Sequence, residues 1–281
     1  MPELPVPGAS LHYEIRGTGP VLLMIPGGGG DAGTFDIVGA QLADRFTVVA
    51  VDPRGKSRSA PHEVGLDQRV EVHGDDMRRL LDEVSPQAPA FVFGTSSGAI
   101  TALDLLARHP RRLRLVVAHE PPTLGLLPDA DRGHAAFAEV VEAFRREGLG
   151  AAMAVLGAAA GEEGPDEPDS PGAPEPDPDR MRRTIANMPQ FVERELRQFS
   201  GHMPDLDALA AHAGKLIPAA GRASRGLLLA RPATVLAERL GTQVAEFPGG
   251  HVGLSTHPMR FAQTLRRTLD TAPADKAALT R

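Results

Sequence analysis

Apolar residues follow two rhythms along the chain. Short, almost unbroken apolar runs recur at residues 21–26 (VLLMIP), 47–52 (TVVAVD), 90–95 (AFVFGT), 112–120 (RLRLVVAHE), 215–221 (KLIPAAG) and 242–250 (TQVAEFPGG). Runs of this length without polar alternation fit strands of a parallel sheet covered on both faces. The segment 11–17 (LHYEIRG) alternates instead, as an antiparallel edge strand does. Between these runs lie helical patterns over 32–44, 67–84, 97–109, 231–241 and 257–270. Pro110 stops the third of them and Gly241 supplies a C-terminal cap to the fourth. Repeated βα units predict a doubly wound, mostly parallel α/β sheet.

One stretch departs from the βα alternation. From residue 123 to 214 no strand pattern appears, and residues 134–161 and 181–199 read as helices. The division expected from this is a core of residues 1–122 and 215–281 with a helical cap at 123–214. An insertion of this size between two strands of a parallel sheet commonly serves as a lid. Its centre, residues 161–180 (GEEGPDEPDSPGAPEPDPDR), holds eight acidic residues, six prolines and one arginine. Proline at this density opposes helix and strand, and like charges repel, so a solvated, disordered loop is expected there.

Composition narrows the function. The chain has 281 residues, 42% hydrophobic and 23% charged, with a net charge of −6. That charge sits in the 161–180 segment, which carries −7 and leaves +1 on the other 261 residues. A near-neutral body does not favour nucleic acid as a partner, since phosphate binding wants a basic surface. Cysteine is absent, which excludes disulfides, thiolate metal sites and a cysteine nucleophile. The first residues, MPELPVPGAS, lack the basic and apolar regions of a secretory signal. No apolar run approaches the roughly 20 residues that span a bilayer. The expected setting is cytoplasmic, with a small-molecule substrate as partner, no membrane, and a homodimer as an alternative to the monomer.

Three segments carry candidate chemistry. Gly94-Thr95-Ser96-Ser97-Gly98 matches G-x-S-x-G, follows an apolar strand and opens a helix. This strand–turn–helix setting is the one a nucleophile elbow requires. It holds the serine oxygen out at the carboxyl end of the sheet, over a helix N-terminus that favours negative charge. Ser97 is a rival nucleophile, but only Ser96 has glycine at both flanking offsets. Acyl transfer also needs two donors for the tetrahedral oxyanion. The Ser97 amide is one candidate. The loop Pro26-Gly27-Gly28-Gly29-Gly30-Asp31 offers the other, with Gly28 the first choice and Gly29 the second. The spacings of phosphate-binding glycine loops are missing there. Finally, His251, in FPGGHVG after the last strand, is placed to act as general base to Ser96. His119, at a strand end, is a candidate pocket residue. Asn187 and Glu195, on the inserted helices, are candidates to face the pocket, with surface polar positions the preferred reading.

Together these residues resemble the α/β-hydrolase superfamily along nearly the whole chain. The resemblance rests on PGGGGDAGTF, VDPRGKSRS, FGTSSGA, HEPP and FPGGHVG. More narrowly it is similar to actinobacterial-type serine hydrolases with a GTSSG elbow. VDPRGKSRS resembles the superfamily's D-x-R-G-x-G-x-S turn with Ser57 in place of glycine, and Asp52, Arg54 and Ser59 read as turn-fixing residues. The superfamily usually draws its third triad member from the loop after the next-to-last strand. Here that loop, GRASRGLLLAR at 221–231, contains no carboxylate. Some members place the acid one strand earlier, which points to Glu120 and preserves the order Ser96, Glu120, His251. A structural role for Glu120, bonding amides near Pro121 and Pro122, fits the sequence equally well. Asp31 is a further candidate for the missing acid, with pocket rim or helix cap the preferred reading.

The function these features imply is a serine hydrolase acting on an ester or related acyl bond of a small, largely apolar substrate. No metal or cofactor is expected. The resemblance also admits a cofactor-free perhydrolase, a C–C bond hydrolase, a lyase- or cyclase-like enzyme of secondary metabolism, or a non-catalytic binding module. Retention of both Ser96 and His251 argues against the last.

Overall fold

The computed structural model describes residues 2–63, 65–164, 166 and 177–272. Its strands are β1 (Glu3–Val6), β2 (Ala9–Arg16), β3 (Val21–Ile25), β4 (Thr47–Val51), β5 (Ala90–Thr95), β6 (Leu113–His119), β7 (Leu216–Gly221) and β8 (Ala245–Phe247). They form one sheet in the order β1-β2-β4-β3-β5-β6-β7-β8. β1 and β2 are antiparallel, β2 and β4 likewise, and every pairing from β4 through β8 is parallel. The expected α/β fold is therefore what the chain adopts. Two strand expectations change. β1 is an additional edge strand, too short and too proline-broken to show in the pattern. β8 spans only three residues, because the Pro-Gly-Gly that follows turns the chain into a loop.

Alternation along each strand sends successive side chains to opposite faces of the sheet. Leu23, Val49, Val92 and Val116 share one core with α2 (Val70–Val84) and α3 (Ser97–Arg108). Leu22, Val48, Phe93 and Val117 share the other with α1 (Asp36–Leu42) and the C-terminal helix Pro258–Leu269. Burial on both faces is why these strands read as unbroken apolar runs.

The segment between β6 and β7 is helical: α4 (Ala130–Glu147), α5 (Leu149–Ala160), α6 (Pro178–Gln190), a π-helical turn at Phe191–Glu195, α7 (Leu196–Ser200) and α8 (Leu206–Ala210). The single helix expected over 134–161 is two, because Gly148 takes φ +84 between α4 and α5. These helices have a core of their own, built on Leu124, Phe137, Val140, Phe191 and Leu196. Most of the acidic segment expected to be disordered, residues 165 and 167–176, lies outside the described residues. Its two ends are placed: residues 177–180 enter α6, and Glu163 accepts the His251 amide at 2.7 Å. After β7 come α9 (Arg231–Leu240), α10 (Gly253–Thr256) and α11 (Pro258–Leu269).

Among the described residues no helix is long and apolar enough to cross a membrane. Phe261 on α11 tests the second core. It is fully buried, with rings of Phe93 and Phe247 centred 5.7 and 4.7 Å away. Phe261→Ala is expected to cost about 3–5 kcal/mol by cavity formation, read as a lowered urea midpoint.

Candidate active site

Parallel strands end together, and three of the site's side chains sit on that common carboxyl edge. Ser96 follows β5 directly, with φ +54 and ψ −125, a conformation that L residues avoid. The turn survives because glycines flank it. A Cβ on Gly94 would lie 2.4 Å from the Gly98 oxygen, and one on Gly98 would lie 2.2 Å from the Ile25 oxygen. The backbone also ties the edge together: the Ser96 amide donates to the His119 oxygen at 2.9 Å, and the Glu120 amide donates to the Ala219 oxygen at 2.9 Å.

Glu120 follows β6 with φ +46 and is fully buried. Its Oε2 lies 2.7 Å from His251 Nδ1, and His251 Nε2 lies 3.1 Å from Ser96 Oγ. Its Oε1 accepts the Gly221 amide at 2.8 Å and the Ser224 hydroxyl. The loop after β7, which carries no carboxylate, thus supplies two donors to a carboxylate that stands one strand away. Burial alone would raise the Glu120 carboxyl. The hydrogen bonds from His251 and Ser224 and the facing His119 and His251 rings outweigh it and hold the group at about 2. An ionised Glu120 accepts a hydrogen bond from Nδ1–H, which leaves the Nε2 lone pair free to accept the Ser96 hydroxyl.

His251 itself is positioned by a tight loop. A Cβ on Gly221 would lie 2.5 Å from both the Gly249 oxygen and the Gly250 Cα, so these glycines permit the close approach of two loops. The Arg222 and Ala223 amides donate to the Phe247 and Gly249 oxygens at 2.9 Å. Glu163 and Asp166 bond the His251 and Gly249 amides from the other side.

The glycine loop after β3 lies over Ser96. A Cβ on Gly27 would stand 2.5 Å from Ser96 Cβ. The Gly28 amide donates to Ser97 Oγ at 3.0 Å, whereas the amides of Ser97 and Gly29 have no acceptor among the described residues. Ser97 is buried, and its hydroxyl donates to Glu195 Oε1 at 2.7 Å, away from His251. The rival nucleophile is thereby committed elsewhere.

Three sequence expectations need correction, those for His119, Asn187 and Glu195, and of the two roles expected of Asp31 the helix cap holds and the pocket rim does not. His119 does not line the pocket. It is fully buried among Phe93, Phe247 and Phe261, with Nδ1 3.4 Å from Thr95 Oγ1. Burial holds its imidazole at about 4, only partly opposed by the Glu120 charge. Asp31 is fully buried too. It caps the short helix Ala32–Phe35 through the Gly33 amide and accepts Arg183 Nε and Ser57 Oγ, so it joins core to insertion rather than meeting a ligand. Asn187 and Glu195 are buried, not surface residues. Asn187 Nδ2 donates to the Gly29 oxygen at 2.9 Å, and Asn187 Oδ1 accepts the Ser57 amide at 2.8 Å. Glu195 pairs with Lys56, whose Nζ lies 3.0 and 2.7 Å from its two oxygens. Ser57, standing where glycine is usual, has φ +48 and bonds both Asp31 and Asn187. Asp52 and Ser59 fix the turn as expected: Asp52 accepts the Ala32 and Arg58 amides, and the Ser59 hydroxyl donates to the Asp52 oxygen at 2.6 Å.

A cavity of about 270 Å³ opens onto Ser96. Phe137, Met153, Leu156, Phe191, Leu229 and Val252 are among the residues of its wall, and His251 is the only ionisable lining residue among the described residues. Among the described residues no cluster of three or more His, Asp or Glu could hold a metal ion.

The profile of the alpha/beta hydrolase fold family matches residues 20–166. The chain is 37% identical over 272 residues to the uncharacterized hydrolase YraK of Bacillus subtilis, covering 95% of each. A zearalenone hydrolase of Bionectria ochroleuca is 36% identical over 119 residues, 41% of this chain and 45% of that protein. Among solved structures, a thermophilic esterase from Thermogutta terrifontis superposes with a TM-score of 0.67 at 19% identity, covering 93% of both chains, which is a likeness of fold.

Two titrations check the buried groups. Between pH 6.5 and about 4 the unfolded chain binds a proton at His119 that the folded chain refuses, so stability falls with pH there. His119→Phe is expected to remove that share, up to about 1.4 kcal/mol per pH unit. Glu120 acts lower. Its stabilisation is complete above its unfolded value of about 4.3 and is lost as pH falls toward about 2. Glu120→Gln should therefore flatten the acid limb of a plot of urea midpoint against pH. Profiles superimposable on wild type would contradict both assignments.

Proposed function

The chain belongs to the α/β-hydrolase fold family, and within it we propose a serine hydrolase that cleaves an ester or related acyl bond of a small, largely apolar substrate. The observation that carries this reading is the continuous chain Ser96 Oγ, His251 Nε2, His251 Nδ1, Glu120 Oε2, with steps of 3.1 and 2.7 Å. In the reaction Ser96 attacks the acyl carbon and passes its proton to His251 Nε2. Glu120 fixes the tautomer and stabilises the imidazolium. The Ser97 and Gly29 amides receive the oxyanion, since the Gly28 amide, the first choice from the sequence, is taken by Ser97 Oγ. His251 then protonates the leaving alcohol, and water resolves the acyl-enzyme by the same sequence with His251 as base. The GTSSG turn serves as the nucleophile elbow of this hydrolase.

Residues 1–122 and 215–281 form the catalytic body in this reading, and 123–214 form a cap that walls the cavity. The wall supports an apolar substrate: a charged group entering it would lose hydration without gaining a partner. The volume, at the small end of ligand pockets, supports a small one. The partial match to a zearalenone hydrolase makes zearalenone one substrate to try.

Nitrophenyl esters of graded chain length test the proposal. Medium acyl chains are expected to exceed acetate in kcat/KM as apolar area is buried. Ser96→Ala is expected to lose at least about 10³-fold in kcat and all labelling by a fluorophosphonate. Glu120→Gln is expected to lose about 10²- to 10⁴-fold in kcat with labelling slowed in proportion. Absence of both turnover and Ser96 labelling in the wild type would sink the serine hydrolase reading.

A further inference from the structure

A run of four glycines is the least constrained backbone a chain can offer, yet a donor to a developing oxyanion must be held within about 0.5 Å of its productive place. The loop Gly27–Gly30 lies over Ser96, and its only backbone bond within the run is from the Gly30 amide to the Gly27 oxygen, at 2.8 Å. Side chains fix it from two directions. The Gly28 amide is bound by Ser97 Oγ, and the Gly29 oxygen is bound by Asn187 Nδ2. The peptide between these two anchors carries the Gly29 amide, which has no acceptor among the described residues.

Behind Ser97 stands a charged pair. Its hydroxyl proton goes to Glu195, so its lone pair must face Gly28. Glu195 and Lys56 are each 1% exposed and touch at 2.7 Å. A buried ion pair is a poor source of stability, because its desolvation cost rivals its attraction, and apolar replacements often do as well. Its place here, one hydroxyl away from the glycine loop and on the residue next to the nucleophile, gives it a different use. Glu195 reaches inward from a π-helical turn, a widened turn that recurs at functional sites.

We propose that Lys56 and Glu195, acting through the Ser97 hydroxyl, are positioning residues that hold the glycine loop over Ser96 in oxyanion-accepting geometry, with Asn187 as the second anchor. This rests on the serine hydrolase reading above. Because Glu195 and Asn187 both belong to the inserted helices, the insertion completes the oxyanion loop as well as walling the cavity. Ser97 thus acts twice: its amide receives the oxyanion, and its side chain steers the opposite donor.

The test uses Ser97→Ala, which keeps the backbone amide, and the double variant Lys56→Met/Glu195→Leu, which removes the pair without stranding a charge. Each is assayed with nitrophenyl butyrate for kcat and KM. Each is also assayed for inhibition by an alkyl trifluoromethyl ketone, which forms a tetrahedral adduct, and by the matching methyl ketone, which does not. Both variants should lose about 10- to 100-fold in kcat, less than loss of a donor outright, with KM within about twofold. Affinity for the trifluoromethyl ketone should fall by the same factor as kcat, and affinity for the methyl ketone should hold. A folded Ser97→Ala enzyme with unchanged or raised kcat overturns the proposal, as does an equal loss for both ketones. If the double variant does not fold, Ser97→Ala decides. A wild type that turns over and labels at Ser96 while Ser97→Ala matches it rejects the positioning role alone. A wild type that does neither rejects the serine hydrolase reading, and this role with it.

Discussion

A carboxylate taken fully out of water must find hydrogen bonds, and Glu120 governs the arrangement of the site for that reason. It stands at the end of β6 with a left-handed backbone, and its partners come from two other strand ends: Gly221, which closes β7, with Ser224 just beyond it, and His251 after β8. Each partner fixes a loop that would otherwise be free. The loop after β8 is brought against the loop after β7, and that juxtaposition sets the imidazole over Ser96. The glycine at 221 follows from the same demand, because a side chain there would meet Gly249 and Gly250 and push the two loops apart, while a side chain at Gly250 would displace Glu163.

The second organising feature is the seam between sheet and insertion. Polar contacts that cross it include Asp31 with Arg183, Asn187 with Gly29 and Ser57, and Glu195 with Lys56 and Ser97. Each joins the carboxyl edge of the sheet to α6 or to the π-helical turn that follows it. The apolar side chains of those same elements, Met188 and Phe191, face the glycine loop and the cavity. The insertion therefore contributes apolar wall to the cavity and polar restraint to the loop beneath it.

Much of this was legible in the sequence because it depends on local pattern. Unbroken apolar runs gave the parallel strands, and Gly94 and Gly98 around Ser96 marked the sharp turn, since both effects act over a few residues. What was hidden depends on contacts between distant segments. Glu120 and Ser224 are 104 positions apart, and nothing local distinguishes a carboxylate held by two donors from one capping nearby amides. Asn187 and Glu195 read as surface residues because helical periodicity alone cannot say which polar position faces a partner. The π-helical turn shifts that periodicity just where Glu195 turns inward. Lys56 opposite Glu195 was the one available signal, a lysine within a turn motif, but its partner lies 139 residues away. His119 misled for a related reason. A strand end belongs to the edge of the sheet, yet its side chain follows the strand's alternation into the core among three phenylalanines.

The central claim is that Glu120 supplies the acid that orients His251. Nuclear magnetic resonance of the protein labelled with nitrogen-15 histidine measures it most directly, by reporting which ring nitrogen carries the proton in the neutral imidazole. The expected result is a proton on His251 Nδ1, shared with Glu120, and loss of that preference in Glu120→Ala. A proton on Nε2 in the wild type, or a tautomer unchanged in Glu120→Ala, would contradict it.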